Sequence, residues 1–284
     1  MTLEFWFMFP VSILVATTAM ASGVEGATFF APIFILLLGL PPEVAIGVGL
    51  ITEVFGFASG LYAYRRKKLI DYRLGLSLLM ATIPLAIIGT LLSGIVDPDL
   101  LKIILGIGLL AVGANFLRVP SHEEVHQLNQ GTQNFEPDKS LNCLKTASGE
   151  EICYQVCNRT EGRLIAGIGS LFMGMVSTGL GEMNGYYLLR RCLVPSRVAV
   201  ATSVFVVAVT ALIASTGHLV RFLQAGGDSI NIVMSLVIFT APGVLIGGQF
   251  GSMIASHIPQ QVLEQVLGML FIVVALVMLG DALL

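Results

Sequence analysis

Three glutamates carry the most chemical promise in this chain. Glu25 sits in "ASGVEGATFFAP" (21–32), Glu53 in "GLITEVFGF" (49–57) and Glu182 in "VSTGLGEMNGYY" (176–187). Each interrupts an otherwise apolar run. An ionisable residue at membrane depth is expensive, and it marks a functional site by default. Ionised carboxylates would repel an anion. The functional reading therefore makes one or more of the three a proton carrier that, when neutral, also donates a hydrogen bond to a solute. The competing reading is a neutral glutamate capping an opened helix end. Glu53 ranks below the other two because the second half of the chain has no matching acid, the equivalent position falling near Val207.

The glycines around Glu25 and Glu182 point to broken helices. Gly23 and Gly26 flank the first; Gly179, Gly181 and Gly185 surround the second. Non-helical backbone survives at membrane depth only against protein or a water-filled cavity. A break leaves amide N–H groups unpaired, and the helix dipole there favours an anion. Thr28 in the first stretch, and Ser177, Thr178 and Asn184 in the second, add uncharged donors, with Thr202 and Ser203 reaching in from the next helix. The proposed solute-binding set is Gly23, Glu25, Gly26, Thr28, Ser177, Thr178, Gly179, Glu182, Asn184, Thr202 and Ser203. Glu25, Glu182 and Glu53 are the proton-coupling candidates. Small residues also permit close helix packing, but two Gly-rich breaks with polar flanks favour a site.

Other reactive residues carry less. "HEEVH" places His122 and His126 at the spacing of a zinc protease helix, but no third ligand follows at a recognisable distance. Cys143, Cys153 and Cys157 are weak metal candidates, because C-x9-C-x3-C is no known zinc knuckle. Thiols in a cytoplasmic loop would be reduced, and Cys192 reads as a small apolar residue. No cofactor is expected. Arg190 and Arg191 read as topology anchors and His218 as an interfacial residue.

The elements that must position these residues are membrane helices. Of 284 residues, 55% are hydrophobic and only 12% charged, with a mean hydropathy of +0.88. That composition cannot clothe a soluble globule. Fifteen Lys and Arg without a basic stripe exclude nucleic acid as a partner. Apolar blocks run over 5–40, 43–64, 74–96, 100–118, 163–193, 197–222, 230–256 and 260–284. Six fit one crossing each of about 20 residues. The blocks at 5–40 and 163–193 are too long and hold the glycine breaks. The "AMAS" near residue 20 resembles a signal cleavage site, but no positive region precedes it. A polar segment, 119–162, separates the repeats 1–118 and 163–284. "SLLMATIPLAIIG" (77–89) and "SLVIFTAPGVLIG" (235–247) share Ser, Leu, Thr, Pro, Ile and Gly at equal spacing. "LKTASGEEICYQV" predicts a short β-hairpin with a Ser-Gly turn.

Charge sets the expected topology. "RRKKLIDYR" (65–73) belongs in the cytoplasm by the positive-inside rule, which also places the central segment there. A re-entrant hairpin at 163–193 leaves two of the fifteen cations outside, Lys102 and Arg221; a single crossing leaves about four. The hairpin makes the halves inverted repeats, each a broken helix plus three spans, as in many transporters.

The two halves resemble the TauE/SafE sulfite exporter family, also called the toluene-sulfonate uptake permease family. Its members carry a Gly-rich stretch, a proline and an A-x-x-T-S-like element in each half. Here the first half reads "GVEGATFFAP" then "AIGVGL"; the second reads "GLGEMNGYYLL" then "AVATSV" (199–204). Glu25 and Glu182 stand where the family usually has glycine, and Gly49 where Ser203 stands in the second half. The resemblance implies transport of sulfite, sulfonates or related organosulfur anions. The expected fold is an all-α polytopic bundle of two repeats in a bacterial-type plasma membrane. Its partners are a small anion and lipid, with self-association left open. The alternatives are a carrier for another carboxylate or inorganic anion, an anion channel, and a metalloprotease built on HEEVH.

Overall fold

Backbone inside a bilayer must bond to itself, so apolar runs of this length become helices. A computed structural model describes residues 3–22, 25–117, 141–155, 157–226, 228–254 and 260–283. The first half contains α1 (Met8–Ser22), α2 (Ala27–Leu36), α3 (Pro42–Lys67), α4 (Tyr72–Leu92) and α5 (Pro98–Leu117). A hairpin of β1 (Leu141–Lys145) and β2 (Glu151–Gln155) follows. The second half contains α6 (Arg159–Val176), α7 (Leu180–Gly185), a π-helical turn (Tyr186–Arg191), α8 (Ser196–Ala225), α9 (Asp228–Ile254) and α10 (Gln260–Leu283). Among the described residues six helices are long and apolar enough to cross a membrane: α3, α4, α5, α8, α9 and α10. The chain is thus an all-α polytopic membrane protein carrying one small hairpin.

Local chemistry fixes the helix ends. Pro42 starts α3, where its missing N–H costs nothing. The Asp71 carboxylate accepts from the Arg73 and Leu74 amides at 2.9 and 3.0 Å, capping α4. Asn158 caps α6 through the Thr160 amide at 3.0 Å.

The helices pair reciprocally: α1 on α9, α6 on α4, α3 on α8 and α5 on α10. Small residues make these contacts close. A Cβ on Gly89 would strike the Leu171 carbonyl oxygen, and one on Gly247 would strike that of Ile13. Two threonine pairs tie the halves together. Thr52 bonds Thr240 at 2.8 Å, and Thr82 bonds Thr210 at 2.9 Å. The pairs interchange under one shift of 158 positions (240 less 82, 210 less 52), the same shift that aligns Ser77–Gly89 with Ser235–Gly247.

Directions follow from named contacts. Gly47, early in α3, faces His218 and Phe222, late in α8. At the other end the Lys67 carbonyl accepts from Ala147, and Arg197 pairs with Glu150 of the same hairpin. Hence α3 and α8 run antiparallel. The block at 163–193 enters and leaves on one side. Glu161 pairs with Arg191 at 2.9 Å, the Tyr187 hydroxyl donates to the Asn158 carbonyl at 3.1 Å, and Cys157 is bonded to Cys192. A single crossing is therefore excluded there.

The hairpin has the expected Ser-Gly turn, with Gly149 at φ +88°. Its register places Cys143 opposite Cys153, and the two are bonded. All four cysteines are thus oxidised rather than free thiols. Cys192 is a bridge partner rather than an apolar filler, because the returning segment lays it over Cys157. Cys143, Cys153 and Glu151 cluster closely enough to hold an ion, but disulfide sulfurs offer no thiolate. Cys157 is bonded elsewhere, so the weak metal reading fails for this oxidised form. The hairpin docks on the membrane body through Asp71, whose Oδ2 accepts from the Tyr154 hydroxyl at 2.6 Å and from Asn142 at 3.2 Å. Burial, then Asp71, pushes the Tyr154 phenol up, so it remains a protonated donor. His122 and His126 of the HEEVH stretch lie outside the described residues.

Candidate functional site

The two glycine stretches break as their composition requires, and the breaks meet. The first falls between α1 and α2 at Glu25 and Gly26. The second falls between α6 and α7, where Ser177 (φ +61°) and Gly179 (φ +116°) turn the chain in the left-handed region. Gly179 tolerates that conformation because it has no Cβ. The Thr28 and Thr178 hydroxyls are 3.1 Å apart across the junction, both buried.

The carboxylates occupy this junction in three different ways. Glu25 reaches across the halves, and its Oε1 accepts a short hydrogen bond from the Gly181 amide. A Cβ on Gly181 would strike the Glu25 carboxylate, so glycine is what permits the approach. Glu182 folds back, its Oε2 accepting from the Gly179 amide at 3.2 Å. Glu53 is 4% exposed, and its carboxylate lies against the start of α2, where the Gly26 and Ala27 amides face it. Its Oε1 lies 3.9 Å from where a Gly26 Cβ would stand. Glu25 Oε2, Ser177 Oγ and both amide atoms of Asn184 are buried without partners among the described residues.

The three glutamates line a cavity of about 440 Å³. Glu25, Gly26, Glu53, Gly181, Glu182 and Ser203 line its inner part, with Phe30, Phe57 and Val207 as apolar walls. Glu53 is the twelfth of 26 residues in α3. It stands about 17 Å along a helix of roughly 39 Å, which is mid-depth. The cavity runs toward the hairpin end, where Tyr64, Tyr186 and Arg190 line it. Tyr64 and Val200 also line a second cavity, beneath the hairpin, with Lys67, Ser148 and Arg197.

The sequence-predicted set is thus only partly a cavity lining. Glu25, Gly26, Glu53, Glu182 and Ser203 line it. Thr28 and Thr178 bond each other, Ser177 and Asn184 are buried at the second break, and Gly179 is engaged by Glu182. Thr202 is buried, and its hydroxyl accepts from the Asp71 amide at 3.0 Å, which leaves its O–H free to donate. Gly23 lies outside the described residues. His218 is fully buried, its Nε2 3.0 Å from the Gly174 carbonyl, rather than interfacial. Arg191 is held by Glu161, whereas Arg190 stands in the cavity wall. Asn115 also lines the cavity. As a polar residue in the apolar run of α5, it carried the same signal that singles out the glutamates.

The sequence model of "Sulfite exporter TauE/SafE" matches residues 8–278. A "Probable membrane transporter protein YunE" of Bacillus subtilis (strain 168) is 22% identical over 252 residues, covering 88% of this chain and 86% of that one. No solved structure matches. An interrupted bundle with a mid-depth polar cavity accords with such a transporter, and a match over nearly the whole chain settles the family. This multi-pass membrane protein belongs to the TauE/SafE sulfite exporter family.

Proposed function

We propose that the chain is a secondary transporter for a small organosulfur anion, sulfite, a sulfonate or similar, with the junction of the two breaks as its binding site. The observation that carries this reading is the bond from the Gly181 amide to Glu25. An amide at a helix break is a natural oxyanion donor, and here a carboxylate of the opposite half already occupies it. Substrate oxyanion and Glu25 carboxylate compete for one donor. A proton on Glu25 removes the competitor and supplies a new O–H donor, so anion entry is linked to proton uptake. Glu182 guards the Gly179 amide in the same manner. Acidification on the side to which the cavity opens then tightens anion binding.

Alternating access follows from the pairing of the halves. The reciprocal threonine pairs and the antiparallel α3 and α8 support an inverted repeat, with the halves at 1–118 and 163–284 and the polar segment between them. Exchanging the conformations of the two halves would reopen the cavity on the opposite face. Arg65, Arg66, Lys67, Lys68, Arg73, Arg190, Arg191 and Arg197 gather at the hairpin end, while Lys102 and Arg221 lie at the other. This distribution supports a cytoplasmic hairpin end by the positive-inside rule. Disulfides that face the cytoplasm are redox-labile pairs rather than permanent staples.

The test is counterflow of labelled sulfite in proteoliposomes, with sulfite, thiosulfate, sulfoacetate or acetate preloaded inside. A carrier accumulates label transiently against the preload, and the sulfur oxyanions drive this better than acetate. Leak without counterflow contradicts a carrier and favours a channel. Counterflow driven equally by acetate contradicts the organosulfur assignment.

A further inference from the structure

The cavity runs to the hairpin end of the α3 and α8 pair, and the opposite end of that pair is buried. Two shifts relate the helices. Their N-cap prolines, Pro41 and Pro195, align at 154 positions (195 less 41), and the threonine pairs align at 158. The difference of four residues is about one helical turn. Either shift therefore lays the same face of α3 on the same face of α8. At these shifts His218 falls on Tyr64 or on Gly60, and both line the open cavity. Ala45 falls on Ala199 or on Ser203, which also line it. The same holds for Ile46, Gly49, Ala211 and Ala214. These six residues are all buried. One face is thus open at the hairpin end and shut at the other, in positions that the repeat makes equivalent.

We infer that these six residues line the half of the solute path that opens away from the hairpin, and that His218 is its gate. This deepens the reading of the halves as an inverted repeat and rests on it. Where the face closes, His218 and Phe222 pack on Gly47 of the other half, and a Cβ on Gly47 would strike the Phe222 ring. His218 Nε2 donates to the Gly174 carbonyl at 3.0 Å, since a carbonyl oxygen only accepts. Gly174 stands three positions before Ser177, where the second break turns. The bond therefore ties the shut seam to the segment that carries the candidate site. Nδ1 is left as an acceptor, buried without a partner among the described residues. Such an atom is costly in a dry seam, and it gains a donor when the seam admits water. The other five residues offer only small or aliphatic surface, so His218 is the one polar side chain among the six. Arg221, one turn further along α8, already donates to the Thr90 carbonyl at 3.0 Å.

Labelling of the full chain with a membrane-impermeant maleimide, in vesicles of both orientations, tests this. Rates are taken above the background of the chain without an added cysteine. Ala214→Cys is expected to label from the face opposite the hairpin, and Gly60→Cys from the hairpin face. Leu212→Cys, exposed on the outside of the bundle, should label from neither. His218→Ala releases the seam and raises the Ala214→Cys rate about threefold, as expected for one hydrogen bond between membrane helices. His218→Gln keeps an N–H donor and brings the rate back toward its starting value. Gly60→Cys labelling in the His218→Ala background reports that the chain is still folded. No labelling of Ala214→Cys from the far face, with Gly60→Cys labelled as expected, overturns the second half of the path. An unchanged rate in His218→Ala overturns the gate. Labelling needs no solute, so failed counterflow beside far-face labelling strikes the anion reading and leaves this one standing.

Discussion

The two helix breaks perform the same task by different means. The second is self-contained: Gly179 and Ser177 turn the chain, and Glu182, three residues on, ties down the Gly179 amide. The first is not. Gly26 is in ordinary right-handed geometry, and Glu25 finds its partner 156 residues away at Gly181. One break is a local motif, and the other is an interface between halves. A device that links the halves through a single ionisable group can sense a proton and report it across the junction, which a self-capped break cannot do.

That difference can be broken at its most crowded point first. Gly181→Val places carbon where the Glu25 carboxylate lies. We expect counterflow to fall by about a hundredfold or more, since small misplacements at a site are amplified. Gly185→Val, where a Cβ meets nothing within 4 Å, should fall far less. Equal losses would mean that glycine at 181 serves the helix and not the crossing.

The carboxylates should separate next. Glu25→Ala leaves a buried amide of the other half unpaired and is expected to cost about 1–3 kcal/mol of stability. Glu182→Ala removes a local cap and should cost about 1 kcal/mol. Thermal unfolding in detergent ranks them, and the reverse order would contradict the division between a local break and an interfacial one.

Smaller effects sharpen the picture. Thr28→Val and Thr178→Val should each cost about 1 kcal/mol and be non-additive when combined, since they break the same bond. The remote pairs, Thr52 with Thr240 and Thr82 with Thr210, should cost about 0.6 kcal/mol each, the average for hydrogen bonds between membrane helices. Nearly equal costs for those two pairs would support a two-fold relation between the halves; a large inequality would argue against it.

Much of this architecture was legible in the residues. Apolar length gave the six spanning helices, and the "SLLMATIPLAIIG" and "SLVIFTAPGVLIG" match placed α4 and α9 in equivalent positions. The breaks were legible because glycine weakens a helix and an acid at membrane depth needs an opened backbone or a polar cavity beside it. Partners were not legible, because long-range contacts leave no local signal. Nothing near Thr202 indicates that Asp71, 131 positions away, will claim it. Cys157 and Cys192 sit 35 apart with no shared motif.

The most direct test is binding of thiosulfate, which keeps its charge near neutral pH, to wild type and Glu25→Gln across a pH series. If Glu25 and the anion compete for the Gly181 amide, wild-type affinity rises as pH falls, approaching tenfold per pH unit where one proton is taken up, by about the linkage relation. In Glu25→Gln most of that slope disappears. An unchanged slope in the variant, or wild-type affinity that is flat with pH, would contradict the account.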